Sequence, residues 1–250
     1  MSHHVINPIA PFIILLIAHL IGDFVLQTEQ MALKKSRVLS WLVLHALQLG
    51  VITWVLCWKF GVWPIALVIF LTHLIFDWIK PRLPGDPLRW YLIDQAVHLG
   101  VLWLVALWIV KYMEGDSMPL TSWMPFNVQV IIAAYLAIGR PITIGLGLFL
   151  KSWQDELLKL NQSNFESSVN GLTRSGEWIG NLERFFVLTC VLVNQFLLVG
   201  AILIAKAVMR QGDATKIEQR KMADYVILGT LGSFGLAFLV GILARLVFIY

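Results

Sequence analysis

Long apolar blocks dominate the chain, and short polar segments separate them. Six of the blocks run roughly 18–25 residues, which is enough for a helix to cross a hydrocarbon core about 30 Å thick. They are Pro8–Gln27, Leu39–Cys57, Gly61–Ile79, Tyr91–Val110, Leu182–Ala205 and Ala223–Phe248. The pattern predicts an all-α fold, a polytopic transmembrane helix bundle with six full spans.

A seventh apolar block, Phe126–Leu150, is interrupted by Gly139-Arg140-Pro141. Proline lacks a backbone N–H and breaks or kinks a helix, so we predict a broken segment that either crosses the membrane or re-enters. The polar stretch Lys151–Trp178 is expected to be a loop or a surface helix. These features divide the chain into a four-helix unit (residues 1–112), a broken helix with a connector (113–180) and a carboxy-terminal hairpin (181–250).

Composition agrees with a membrane protein. The chain is 58% hydrophobic and 14% charged, whereas soluble domains average about 45–50% and about 25%. Cys57 and Cys190 lie inside apolar blocks and are interpreted as small buried hydrophobes. Because no basic run is interleaved with aromatic residues, we expect membrane lipids and no nucleic acid as partners.

Basic residues in the loops predict the topology, since cytoplasmic loops are rich in Lys and Arg. The loop after the first span carries Lys34, Lys35 and Arg37, and the loop after the third carries Lys80, Arg82 and Arg89. Both are predicted to be cytoplasmic, which places the amino terminus outside. The basic loop Lys206–Lys221 falls inside only if Phe126–Leu150 re-enters, so we favour that form.

Three His–Asp pairs with one spacing mark the first four spans. They are His19 with Asp23, His73 with Asp77, and Asp94 with His98, and His45 adds a fourth imidazole from the second span. Residues four apart share a helix face. Counted from the cytoplasmic span ends at ~1.5 Å per residue, all seven lie in the cytoplasmic part of the bundle. We therefore expect one convergent polar site.

The chemistry of these side chains favours a metal. No Lys or Arg lies within the four spans to balance the aspartates, and unpaired carboxylates are costly in a bilayer. Imidazole nitrogen with carboxylate oxygen suits one or two divalent ions, Zn, Fe or Mn. Two alternatives are hydrogen bonds that only join the helices and a proton or ion relay without fixed metal. Gln27, Thr72 and Gln95 are interpreted as interfacial.

The second half offers fewer candidates. Glu183 and Arg184 begin one span, and because adjacent helical residues do not face each other, Glu183 is expected to pair elsewhere. Lys206 is interpreted as snorkelling toward the interface. The small residues Gly229–Ser233 are expected to allow close helix packing.

Four segments resemble a bacterial inner-membrane family catalogued as domain of unknown function 3307. They are HLIGDFVLQT (19–28), LVLHAL (42–47), THLIFDWIKPRL (72–83) and LIDQAVHL (92–99), and GEWIGNLERFF (176–186) with DYVILGTLGSF (224–234) is similar to an extension of its longer members. The resemblance implies a bacterial inner-membrane location and no specific activity. THLIFDWIKP is also similar to a His-x3-Asp element of membrane-bound metal-dependent hydrolases, whose other ligand motifs this chain does not show.

The functional hypothesis is a membrane-embedded, metal-dependent hydrolase that acts near the cytoplasmic leaflet on a lipid or lipid-linked substrate. His19, His45, His73, His98, Asp23, Asp77 and Asp94 are the candidate metal ligands, and Asp23 or Asp94 is the candidate general base. The alternatives are a proton- or metal-coupled transporter and a non-catalytic membrane scaffold.

Overall fold

The computed structural model of the protein describes residues 8–57, 63–112, 124–160, 166–209 and 217–249. Within those helices, the side chains of 157–160, 166–175, 209, 217–223 and 249 are not described. The described residues are helical and contain no strand. They form two compact units, divided between Leu136 and Ala137. Residues 210–216 of the basic loop Lys206–Lys221 lie outside the described residues.

The first unit contains the predicted four-helix region. Its elements are α1 (Ile9–Leu20), a π-helical turn (Ile21–Val25), α2 (Glu29–Lys34), α3 (Leu39–Leu56), α4 (Trp63–Ile79), a 3-10 turn (Lys80–Arg82), α5 (Pro87–Tyr112) and the start of α6 (Phe126–Ile138). α1 packs against α3 and α5, and α4 packs against the same two helices. The four long helices therefore form a closed ring.

An apolar cluster fills one part of this ring. Its buried members are Ile14, Leu15, Leu49, Cys57, Ile65, Ile69, Leu102, Val105, Ala106 and Ile109. On each helix the cluster begins one to two turns from the predicted histidine, on the side away from the loops that carry Lys35 and Lys80. We call the end of the unit that bears these two loops the basic-loop face. The polar residues thus lie between the basic-loop face and the apolar cluster.

Close helix contact around the ring depends on Gly50 of α3. A Cβ atom at this position would lie 3.2 Å from the backbone oxygen of Ala66 and 3.2 Å from Cβ of Phe70, both on α4. A backbone oxygen cannot move without moving its helix, so the absence of a side chain at Gly50 sets the spacing of α3 and α4.

The second unit consists of the end of α6, α7 (Arg140–Leu160), α8 (Glu166–Leu192), α9 (Phe196–Met209) and α10 (Ile217–Ile249). α10 packs against α7 and α8, and α8 contacts α9. The predicted packing of the small residues in α10 is seen at Gly229 and Gly232. A Cβ atom there would lie 3.2 Å and 3.1 Å from the side chains of Leu150 and Leu146 of α7.

Five helical stretches are long and apolar enough to cross a membrane, namely Leu39–Leu56, Trp63–Arg82, Pro87–Tyr112, Phe126–Glu156 and Asp224–Phe248. Ile9–Val25 and Phe196–Val208 are shorter apolar helices. An all-helical fold with several helices of membrane-spanning length is therefore confirmed for the described residues, whereas six spans are not.

The predicted single span Leu182–Ala205 is wrong. The chain turns at Val193–Gln195, between α8 and α9, and Asn194 adopts a left-handed conformation with φ 64°. Asparagine tolerates this conformation better than most residues. Arg245 Nη1 donates to Asn194 Oδ1 at 2.7 Å and stabilises the turn. Because the residues around the turn are apolar, block length alone did not reveal it.

The predicted break in Phe126–Leu150 is present, and it is one residue long. α6 ends at Ile138 and α7 begins at Arg140. Thr143 N donates to Gly139 O at 3.2 Å, so the hydrogen-bond ladder resumes directly after the break. The re-entrant path stays a prediction. Lys151–Trp178 is largely helical, since α7 extends to Leu160 and α8 begins at Glu166.

Candidate functional site in the first unit

The seven predicted residues lie on five elements of the helix ring. His19 is near the end of α1, Asp23 is in the π turn, His45 is in α3, His73 and Asp77 are in α4, and Asp94 and His98 are in α5. The four imidazoles are 0–2% exposed. Asp77 and Asp94 are buried, and the side chain of Asp23 is 10% exposed. All seven are thus withdrawn from solvent within one unit.

The imidazoles form a contiguous cluster. The rings of His73 and His98 are stacked, with their centroids 3.9 Å apart. The ring of His19 lies 5.4 Å from each of them, and the ring of His45 lies 6.4 Å from His73. The predicted convergence of four helices on one group of histidines is therefore seen in the structure.

Three of the histidines have one ring nitrogen facing an oxygen that can only accept. His73 Nδ1 is 3.0 Å from the carbonyl oxygen of Ile69, and His45 Nε2 is 3.1 Å from Asp23 Oδ1. His19 Nε2 is 3.3 Å from Gln95 Oε1. These nitrogens must donate, so in a neutral ring the other nitrogen carries a lone pair.

The other ring nitrogens lack hydrogen-bond partners. Nδ1 of His19, His45 and His98 and Nε2 of His73 are buried, and none of them meets a donor or acceptor among the described residues. His98 Nε2 lies 3.4 Å from Asp94 Oδ1. Four buried and unpartnered nitrogens in one cluster are unusual, because native proteins satisfy most buried polar groups.

The π turn sets the position of Asp23. Leu26 N donates to Ile21 O at 2.9 Å, an i to i+5 bond. Such a turn shifts the register that an α-helix would give. Asp23 Oδ1 accordingly contacts His45 of α3, and Asp23 Oδ2 accepts from Gln95 Nε2 of α5 at 3.3 Å. The sequence spacing alone did not predict this turn.

The expectation that no basic residue pairs with the aspartates is wrong. Lys35 Nζ lies 2.8 Å from Asp77 Oδ2, and Lys80 Nζ lies 2.9 Å from Asp94 Oδ2. Both lysines lie just outside the spans predicted from the sequence, in the turn after α2 and in the 3-10 turn after α4. Their long side chains reach back into the bundle from the basic-loop face. Because only charged residues inside the predicted spans were considered, the sequence did not reveal these two ion pairs.

Gln95 is a further site residue, which the sequence interpretation placed at an ordinary interface. Its Oε1 lies 3.3 Å from His19 Nε2, and its Nε2 lies 3.3 Å from carboxylate oxygens of both Asp23 and Asp94. Both neighbouring carboxylates can only accept, which supports this orientation of the amide. Gln27 also contributes, because its Oε1 accepts from Lys35 Nζ at 2.9 Å.

These contacts form one polar network. Asp77 Oδ2 lies 3.4 Å from His45 Nε2, which links Lys35 through Asp77 and His45 to Asp23. Gln95 then joins Asp23 to Asp94, and Asp94 joins Lys80. Among the described residues, no three His, Cys, Asp or Glu side chains are already arranged to hold a metal ion.

The second unit has its own buried polar cluster, centred on Arg184. This guanidinium is 3% exposed. It donates to Ile138 O at 2.7 Å, Ser233 Oγ at 3.0 Å and Thr143 Oγ1 at 2.5 Å, and also to Asn181 Oδ1. Arg184 thereby binds the free carbonyl at the α6–α7 break and connects it to α8 and α10. Its role is to hold the broken helix together.

Glu183 pairs with Lys206 at 2.5 Å. The expectation that Glu183 would not pair with its neighbour Arg184 is confirmed. Lys206, interpreted as a snorkelling residue, has its ammonium paired with this carboxylate from α8.

A family model described as a protein of unknown function, DUF3307, matches residues 11–126. We call residues 11–126, which are similar to that family, the DUF3307 segment. The DUF3307 segment contains every residue of the histidine–aspartate network, together with Lys35, Lys80 and Gln95. No curated protein and no solved structure matches the chain.

Proposed function

We propose that the DUF3307 segment binds one or two divalent transition-metal ions, Zn, Fe or Mn, at its buried histidines. The observation that carries this proposal is the set of four unpartnered imidazole nitrogens in one cluster. Histidines that bind metals almost always donate their other ring N–H to a carboxylate or a carbonyl. His45 and His73 show this pattern toward Asp23 and toward Ile69.

The energetics support the same proposal. A buried polar group without a partner costs about 1–3 kcal/mol. A metal ion accepts the lone pair of a neutral imidazole and thereby removes this cost for each nitrogen that it binds. Since no three ligands already converge among the described residues, binding requires the imidazole rings to turn about their side-chain bonds. Because the two lysines partly balance the carboxylates, unpaired imidazoles and not unpaired carboxylates favour metal binding.

The reaction that we propose is metal-dependent hydrolysis of a lipid or a lipid-linked substrate near the cytoplasmic leaflet. A bound divalent ion generates a hydroxide nucleophile from water at neutral pH. Asp94, whose carboxylate lies beside His98 and Lys80, is the candidate general base, and Asp23 is the alternative base. The proposal includes a location in the bacterial inner membrane with the amino terminus outside.

A proton- or metal-coupled transporter is the second candidate, and the continuous network from Lys35 to Gln95 favours it. A transporter needs a path to both membrane faces. The apolar cluster that includes Leu49, Ile69 and Leu102 lies on the far side of the histidines. This arrangement favours a site that is reached from one side. A non-catalytic scaffold is the third candidate, and it predicts no bound metal.

Elemental analysis of the full chain in mild detergent tests the proposal. We expect one or two equivalents of Zn, Fe or Mn in the wild type after incubation with each ion and desalting, and less than a tenth as much in His73→Ala. The matched control is Thr53→Val, which alters a buried polar residue of α3 outside the network. A folded wild-type protein that contains no stoichiometric metal would refute the proposal. Metal-dependent flux along an ion gradient in vesicles would favour the transporter.

A further inference from the structure

Two equivalent contacts join the polar network to the basic-loop face. Lys35 pairs with Asp77, which contacts His45, and Lys80 pairs with Asp94, which contacts His98. The lysine side chains are 16% and 33% exposed, whereas those of the two aspartates are 5% and 7% exposed. The lysines therefore lie between the buried carboxylates and the surface.

Metal binding changes the charge of this site. The three carboxylates and the two ammonium groups leave one net negative charge when the imidazoles are neutral. One divalent ion at the histidines, which is the proposed function on which this inference rests, reverses that to one net positive charge. A cationic site in a low-dielectric bundle is costly unless an anion joins it.

Metal binding also weakens the ion pairs that Lys35 and Lys80 form with Asp77 and Asp94. A divalent ion beside the carboxylates offsets their negative charge, so they attract the ammonium groups less strongly, and the ion also repels the ammonium groups directly. Lysine carries its charge on a flexible stem with three donors. Both ammonium groups can therefore turn from the aspartates toward a ligand at the basic-loop face without unfolding a helix.

We propose that Lys35 and Lys80 bind the phosphate group of a phosphate-bearing ligand once a metal ion is bound at the neighbouring histidines. Lysine is a common phosphate-binding residue, acting as a point charge. Two lysines on separate loops, each beside a candidate metal ligand, place the phosphate at the metal. The substrate class of the proposed hydrolase is thereby a phosphate monoester, carried by a lipid or free in water.

The test measures ligand binding to the full chain in zwitterionic nanodiscs, with and without the metal found by elemental analysis. The probes are short-chain phosphatidic acid, short-chain phosphatidylcholine and inorganic phosphate. We expect metal-loaded wild type to bind phosphatidic acid at least tenfold more tightly than the metal-free protein does. The variant Lys35→Gln/Lys80→Gln should lose this gain. Lys35→Arg/Lys80→Arg should keep most of it and shows whether the fold tolerates changes here.

The matched control is Lys34→Gln. Lys34 neighbours Lys35 and contacts the ring of Trp41 instead of the network, so this variant should bind as the wild type does. Competition by inorganic phosphate would identify a free phosphate site. Binding of phosphatidic acid alone would identify a lipid headgroup.

Equal binding of phosphatidic acid by wild type and the double Gln variant, both metal-loaded, would overturn the inference and leave the metal site intact. Tight binding of phosphatidylcholine would also overturn it. A wild type that takes up no metal refutes the proposed function itself, so the two failures are distinguishable.

Discussion

The imidazoles of His73 and His98 lie face to face, with ring centroids 3.9 Å apart and ring planes 3° apart. They come from neighbouring helices, α4 and α5, and both are buried. Two charged rings at this distance would repel each other strongly, so the stack favours at least one neutral ring. A neutral ring has the lone pair that a metal requires.

Replacing His98 by Phe separates the packing role of the ring from its ligand role. Phenylalanine keeps an aromatic ring against His73 but removes both nitrogens. We expect His98→Phe to fold with a thermal midpoint within a few degrees of the wild type and to lose at least tenfold in metal affinity, which chelator competition would measure. Unchanged metal affinity in His98→Phe would exclude His98 as a ligand.

Gln95 should increase the metal affinity of the site without being a metal ligand itself. Leucine at this position removes the partner of His19 Nε2 and one partner each of Asp23 and Asp94. Loss of groups that orient metal ligands typically costs 10–100-fold in metal affinity. We expect Gln95→Leu to lie in this range while the helical circular dichroism is preserved. Gln48→Leu is the matched control, since the contact of Gln48 with Gly22 O is a long one at 3.4 Å.

Lys80 and Asp94 should be energetically coupled. Lys80→Met leaves the buried carboxylate of Asp94 without its ammonium partner, and we expect a loss of about 1–3 kcal/mol in the free energy of unfolding. The double variant Lys80→Met/Asp94→Asn removes the stranded charge and should recover part of that loss. Unfolding titrations of the metal-free protein and its three variants give the coupling energy. Additive losses would contradict the pairing.

Two glycines test the spacing of the helix ring. Gly50→Ala introduces a Cβ against the backbone of α4, and we expect a loss of stability of about 1 kcal/mol or more. A Cβ atom on Gly100 of α5 would meet no atom within 4 Å, so Gly100→Ala should be neutral or slightly stabilising because alanine favours helices. Equal effects of the two substitutions on the thermal midpoint would refute the role given to Gly50.

Arg184 should be essential to the second unit. Lysine cannot reproduce the fork of donors that reaches Ile138, Thr143, Asn181 and Ser233. We expect Arg184→Lys to lower the free energy of unfolding by about 2–4 kcal/mol and to increase proteolysis near the break at Gly139. Arg245→Lys is the control, because its main partner Asn194 is exposed, and its effect should be smaller.

The sequence predicted the main features of the first unit for a physical reason. Polar residues are costly in a bilayer, so a His–Asp pair with helical spacing indicates a shared interior face. The same reasoning failed for contacts that depend on the length of a side chain or on a local change of the helical register. Lys35 and Lys80 contact the site from beyond the span ends, and the π turn at Asp23 changes the helical period. The turn at Asn194 is hidden inside an apolar run.

The apolar cluster beyond the histidines has a kinetic consequence. If the site opens at the basic-loop face, one passage serves for both entry and departure, because the opposite side is closed by packed Leu, Ile, Val and Ala side chains. A product molecule must then leave before the next substrate molecule can enter. A product in this passage would block the approach of the substrate, so product inhibition is the expected consequence of this arrangement.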